Sequence, residues 1–460
     1  MFARLSRAPL PVVILVLSFL CPTELSLYLG GLRLPPHRLA IILLIVPALW
    51  RVLSHADTRV RTFDLILMAF IVWIISVYTM HGEEMAGLIY GTSVGLEAFG
   101  GYIIARAYIR DFASYRATLD VLIFACIIAF LFAIPETVFG QLFTHDFLEA
   151  VTGYHHPREI QMRLMFTRAY GVFDHPIHLG TFAATIFALL WFSGKRLKPR
   201  IKDCTISALT TLTALSSAPI LCIFTQVGLI FWDQLTRGIK GRIALTIVGL
   251  ILMYLLVAMV ATRSPVMIIA TGFTIDSWTG FYRTQIWLHG MENVLANPWF
   301  GIGLADWERA WWMHSDSIDA YWLVTMLQTG IPSLVLLVLA ILSIIGGIAQ
   351  RVPKTRDADM ARAAKGWIIA LIAVCLAACT VHFWNVSVSY FYFILGLGGW
   401  LADPLPQRFR ARREAKRAAR SGRRASVGPG GAPSGQHPSA PLAPPRPADV
   451  GQYRPRHAPA

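Results

Sequence analysis

Residues 59–84 read Arg59-Val-Arg61-Thr-Phe63-Asp-Leu-Ile-Leu-Met-Ala-Phe70-Ile-Val-Trp73-Ile-Ile-Ser-Val-Tyr78-Thr-Met80-His81-Gly82-Glu83-Glu84. An apolar run over 63–80 stands between two arginines and two glutamates. As a helix it would rise about 27 Å, which nearly matches a hydrocarbon core about 30 Å thick. Lipid satisfies no open backbone groups, so a run in that setting must be helical. Its flanks also give a direction. Arginines mark the cytoplasmic side of a span, and the acidic His81–Glu84 turn then falls on the opposite side.

The same pattern recurs along the chain. Expected spans cover roughly 10–30, 36–53, 63–80, 86–108, 118–139, 176–193, 204–217, 219–236, 243–261, 321–348, 367–383 and 386–401, about twelve in all. The chain is 460 residues long, 55% hydrophobic and only 15% charged, with mean hydropathy +0.56. That composition excludes an ordinary soluble domain and predicts an all-α polytopic membrane protein.

Alternate loops carry the positive charge. With Arg4 and Arg7 inside, the even loops hold Arg51, Arg59 and Arg61; Arg106, Arg110 and Arg116; Lys195 to Lys202; Arg237, Lys240 and Arg242; and Arg351 to Lys365. Arg33 and Arg38 in the first odd loop run against the trend. Both termini are expected in the cytoplasm of a bacterial inner-membrane protein. The pattern requires two spans within 204–236, turning at Ser216-Ser217-Ala218-Pro219. Phe19 and Leu20 before Cys21 are too large for a lipoprotein cleavage site, so the first span reads as uncleaved.

The net charge of +15 does not indicate nucleic acid. Nine of those charges fall in residues 402–460, where twelve Lys+Arg face three Asp+Glu. That segment is then rich in Gly, Pro, Ala and Ser, and reads as a disordered cytoplasmic tail beside a membrane domain at 1–401. Its basic part fits anionic headgroups or a simple topology anchor. The six cysteines lie in or beside apolar segments without redox spacing, and read as packing residues.

Two long extracytoplasmic segments remain, about 140–175 and 262–320. Both are rich in aromatic residues, which argues for function over disorder. The first closes on Arg168-Ala-Tyr-Gly-Val-Phe-Asp174-His175-Pro176-Ile-His178-Leu-Gly180, with Asp174 and His175 at the entrance of the next helix. His155-His156 and His175/His178 hint at a metal, but the spacing is not a zinc pattern and no metal is expected. The second holds Arg283 and Trp287 on one helix face, then Asn297-Pro298-Trp-Phe-Gly301-Ile-Gly303, Asp306-Trp307, and Trp311-Trp312-Met313-His314 to Asp319 before a span. The aromatic residues Trp287, Trp307, Trp311 and Trp312 suit a belt at the membrane interface.

At these residues the chain resembles the O-antigen ligase and polymerase superfamily of bacterial envelope proteins, over about residues 10–400. The resemblance rests on the span pattern with a large late loop, on the 168–180 segment, and on Arg283-x-x-x-Trp287 with Asn297-Pro-x-x-Gly301-x-Gly303 and Ser317-Ile-Asp319-Ala-Tyr-Trp-Leu323. It implies a GT-C type architecture and transfer of a glycan from an undecaprenyl diphosphate carrier to a sugar acceptor, with no cofactor. It implies membrane lipids and other polysaccharide-assembly proteins as partners, and no nucleic acid. Arg168 and Arg283 match the diphosphate-contacting arginines. Asp319 stands where many members have the catalytic histidine, with His314 five residues earlier, so either is the candidate base. His175, Asp174, Trp287 and Asp306 are the candidate substrate contacts. The tip at Ser216–Pro219 lacks the arginine that many members carry there. These departures favour a polymerase over a ligase attaching glycan to lipid A core. A transporter or flippase is the alternative from another class, but no internal repeat supports it.

Overall fold

The computed structural model describes residues 6–29, 32–54, 60–82, 84–154, 158–239, 277–355 and 357–403. The span expected at 243–261, the His155-His156 pair and the basic tail lie outside the described residues. The chain divides into a unit from Met1 to Pro404 and a second from Leu405 to Ala460.

The first unit is helical. In chain order it contains α1 (Leu10–Ser18), a two-stranded hairpin of β1 (Leu27–Leu29) and β2 (Leu32–Leu34), α2 (Pro36–Ser54), α3 (Thr62–His81), α4 (Glu84–Tyr108) and α5 (Phe112–Phe139). There follow α6 (Phe143–Thr152), a short hairpin of β3 (Met162–Arg163) and β4 (Phe166–Thr167), α7 (Pro176–Trp191), α8 (Leu197–Thr213) and α9 (Ser217–Leu235). The remainder is α10 (Ser277–Ala296), α11 (Tyr321–Thr329), α12 (Ile331–Thr355), α13 (Ala358–Ala377) and α14 (Val386–Ala402).

Among the described residues, seven helices are long and apolar enough to cross a membrane: α2, α3, α4, α5, α9, α12 and α13. Two shorter apolar helices, α7 and α14, lie among them. The chain is therefore a multi-pass membrane protein.

Two expected spans take a different form, and a third pair keeps its expected break. The run at 10–30 is helical only to Ser18, because Pro22 and the polar Thr23-Glu24 end it in a turn. The stretch 204–236 is two helices, as the turn residues require, with Leu215 at φ 43 between them. Its first helix, α8, begins in the basic stretch Lys198 to Lys202, so its apolar part is short. The run at 321–348 is broken into α11 and α12. Gly330 has φ 82, and a Cβ there would strike the Trp299 backbone oxygen. Pro332 then opens α12, where its missing N–H costs nothing.

The spans pack around α4, which contacts α14, α3 and α2. Small residues let backbones approach: a Cβ on Gly101 would meet the Ser389 carbonyl, and one on Gly396 the Tyr102 carbonyl. α14 is buried along its whole length. A second group joins α7 to α8, α9 and α13.

Several charges inside this bundle are paired. Glu97 on α4 accepts from Arg38, Nη2 to Oε1 2.8 Å, and contacts His37 Nε2 at 3.1 Å. This neutralises Arg38, one of the two arginines that run against the loop-charge pattern. The other, Arg33, lies in the β1–β2 hairpin over the Tyr154 ring, 5.0 Å from its centroid. At the opposite end of the bundle the buried Arg106 joins Asp64 and Asp403. Lys195 meets Asp120 and Asp203 there, and Lys365 meets Asp233. The described parts of the basic loops thus collect at one end and those of the two long segments at the other.

Residues 277–329 have a core of their own. Ile286, Val294, Trp307, Met313, Leu323 and Leu327 form it between α10 and α11. Residues 298–303 run along the end of α11, with Ile302 N donating to Leu327 O at 2.8 Å and Ile331 N to Pro298 O at 2.8 Å. Trp73 and Tyr78 at the end of α3 reach the same place through Thr329 O and Gln328 Oε1.

Candidate functional site

The segment after β4 sets the first arginine. Ala169 N donates to Thr213 O at 3.0 Å, which lays this strand of chain against the end of α8. Arg168 is only 4% exposed. Its Nη2 donates to Ser216 Oγ at 2.7 Å, its Nε to Ala214 O at 3.4 Å, and its Nη1 to Gln161 Oε1. All of these partners are neutral. Arg163, on β3, donates from Nη1 to Leu215 O at 3.2 Å. Two guanidinium groups therefore rest on the turn between α8 and α9, the tip that carries no arginine of its own.

Arg283 reaches the same region from α10. Its Nε is buried without a hydrogen bond among the described residues. Neither Arg168 nor Arg283 makes an ion pair with a described carboxylate. The consequence appears in proton affinity. Burial, then the charges of Arg163 and Arg283, push the Arg168 guanidinium down to about 10, against the opposing pull of Tyr170 and Asp319. Burial lowers Arg283 as well; Asp319 opposes this and Arg163 adds to it. Three arginines and Asp319 thus share one electrostatic neighbourhood, although they come from three separate stretches of chain.

His175 belongs to this neighbourhood. It caps α7, accepting at Nδ1 from Ile177 N at 3.1 Å. Burial first, then His178, Arg168, Arg163 and Arg283, hold it at about 3, so the ring is neutral at ordinary pH. His178 Nε2 lies 3.1 Å from the His382 carbonyl oxygen, and its ring is 3.9 Å from that of Trp384, centroid to centroid. The loop between α13 and α14 therefore forms one wall of the site. His382, Trp384 and Arg163 were not singled out in the sequence, since no local pattern marks them.

The remaining candidates separate. Asp174 accepts at Oδ1 from Thr23 Oγ1 at 2.6 Å and at Oδ2 from Asn385 Nδ2 at 2.9 Å, so both oxygens tie loops together. Trp287 Nε1 donates to Cys379 O at 2.8 Å, fastening α10 to the end of α13. Asp306 is exposed and pairs with Arg309 at 2.5 Å, which lowers its carboxyl pKa. Asp306 also lines a cavity of about 420 Å³ with Trp307, Asp316, Ser317, Gln328 and His382. His314 is exposed, and no described hydrogen bond or ion pair joins it to the arginines. Asp319 is half-buried, with Ser317 Oγ 3.4 Å from its Oδ1.

Among the described residues, no group of three or more His, Cys, Asp or Glu is arranged to hold a metal ion. What the arrangement offers is concentrated positive charge. Desolvating a cation without an opposite charge is costly. Two such cations side by side suit an anionic ligand carrying more than one charge. No protein-family model matches the chain, and no curated protein matches it in sequence.

Proposed function

We propose that the chain is a membrane glycosyltransferase of bacterial surface polysaccharide synthesis, acting at the extracytoplasmic face. It moves a glycan from undecaprenyl diphosphate to a sugar hydroxyl, as a polymerase in preference to a ligase. The observation that carries this reading is the convergence of Arg168, Arg283 and Arg163 in a partly dry site with Asp319 as the carboxylate they sense. The gathering of basic loops at the other end of the bundle supports the orientation.

The chemistry follows from charge. The acceptor oxygen attacks the anomeric carbon, and the bond from that carbon to the phosphate oxygen breaks. The electron pair leaves on the diphosphate, whose charge grows as it departs. Guanidinium groups meet phosphate oxygens in pairs and remain charged even when their pKa falls to about 10. They stabilise a leaving group best where water is scarce. The acceptor proton passes to the Asp319 carboxylate. His175, held neutral, adds no further charge and keeps α7 capped beside the arginines.

The test is Arg283→Lys in purified protein, assayed for transfer from an undecaprenyl-diphosphate glycan in nanodiscs. The substitution keeps the charge and removes the fork, and transfer should fall about ten-fold or more. Unchanged transfer at unchanged protein level rejects the diphosphate role.

A further inference from the structure

The segment between α5 and α7 has two unlike sides. On the inner side of α6, His145 Nδ1 meets Glu24 Oε1 at 2.6 Å. Arg158 joins the same carboxylate oxygen at 2.5 Å and returns to Glu149 on α6 at 2.9 Å. The outer side presents Phe143, Phe147 and Val151, spaced four apart, with Phe147 and Val151 each 66% exposed. The ion-paired side of this helix faces inward and an apolar stripe, bordered by the exposed Asp146, faces outward, the reverse of the pattern expected in water.

The β3–β4 hairpin shows the same inversion. Its turn is Leu164-Met165, with φ 51 and 67. Two left-handed residues in a two-residue hairpin turn normally call for Asn-Gly. A side chain with a Cβ carries a steric cost at each such position. The hairpin accepts that cost while leaving Leu164 69% and Met165 90% exposed. In water this arrangement gains nothing. In an acyl layer each side chain would leave water, which favours the arrangement.

We propose that α6 and the β3–β4 hairpin form a docking surface for the bilayer leaflet at the site's end of the molecule. Phe143, Phe147 and Val151 would lie along the acyl boundary, with Leu164 and Met165 inserted into it. Continuity identifies the occupant. The stripe begins where a membrane span ends: Phe139, the last residue of α5, meets Phe143 edge to face at 6.1 Å. Phe139, Val138 and Leu131 are themselves exposed on the outside of that span. The apolar surface thus passes from span to helix, with the exposed Gln141 and Asp146 at its border. A helix lying in the interface plane, with its apolar face to lipid, is a recognised membrane-binding element.

Docking has a consequence for the site. Arg163 is on β3 and Arg168 directly follows β4. Lipid contact at the hairpin tip sets both guanidinium groups at headgroup height, where an amphiphile's phosphate arrives by lateral diffusion. The docking itself holds whether or not the site transfers a glycan.

The experiment places an environment-sensitive fluorescent amino acid by codon suppression at position 147, 165 or, as control, 316, in the full chain. The protein is reconstituted in nanodiscs of phosphatidylcholine with or without mid-chain bromine, and thermal unfolding confirms that each variant is folded. Probes at 147 and 165 should emit to the blue and be quenched by brominated lipid about two-fold or more above the control, while aqueous iodide quenches only the control. Water-like emission with iodide quenching at 147 and 165 overturns the proposal. Shielding from both quenchers also overturns it, and would indicate a second copy or another protein on this face.

Discussion

Arg163 Nη1 donates to the backbone oxygen of Leu215 at 3.2 Å, and Leu215 is itself a left-handed residue between two helices. A hairpin from one loop thereby delivers a guanidinium to the turn of another. No arginine stands on that turn itself, so its charge arrives from a different segment.

Arg163→Ala should weaken binding of an undecaprenyl-diphosphate donor about ten-fold, the worth of one charge-assisted contact. Arg163→Lys should recover part of that loss, because charge returns without the fork. Donor binding to detergent-purified protein, followed by native mass spectrometry, measures both. Equal affinity for the wild type and Arg163→Ala removes Arg163 from the site.

The base is tested separately. Asp319→Asn keeps the side chain's size and removes its proton acceptor, and transfer should fall by about two to four orders of magnitude. His314→Ala should change transfer less than about two-fold, since His314 is exposed and apart from the arginines. The paired turnover assay decides the matter. Loss confined to His314→Ala would reverse the assignment.

The seven long apolar helices among the described residues were readable because their signals are local: apolar length, and charge at each flank. The break at Ser216 was readable too, from four turn residues in a row. The break at Gly330 was not, since one glycine in an apolar run does not show that residues 298–303 will dock against it. Arg168 and Arg283 could be picked from motifs, but their meeting depends on tertiary structure. Asp174 shows the limit plainly. Its place at a helix entrance suggested substrate, whereas its two oxygens are taken by Thr23 and Asn385, which lie 151 and 211 positions away. Partners that distant leave no trace in spacing.

Glu24 anchors the loops on the site's side. It is buried with His145 and Arg158. Glu24→Gln leaves those groups without their shared counter-charge, which should cost about 3 kcal/mol or more. The midpoint of thermal unfolding in detergent should drop, while the Asp111→Ser cap variant on the far end of α5 serves as a mild control. An unmoved midpoint for Glu24→Gln would remove the cluster's structural role.

Acid should destabilise this end of the molecule through two groups whose pKa values both lie below their ordinary positions. Glu24 sits at about 2 instead of 4.5: burial would raise it, but His145 and Arg158 outweigh burial. Its contribution is complete above pH 4.5 and lost as pH falls toward 2. His175 sits at about 3 instead of 6.5, through burial and then the neighbouring histidine and arginines. The unfolded chain takes up that proton first, so stability declines from pH 6.5 downward to about 3. One such proton changes stability by at most about 1.4 kcal/mol per pH unit. His175→Asn retains a side-chain acceptor for the helix cap and cannot be protonated in this range. Its unfolding midpoint should therefore change less between pH 6.5 and 5 than that of the wild type, with the two curves running parallel above pH 7. Parallel curves through the whole range would mean that His175 is not held neutral, and that the arginines do not crowd it.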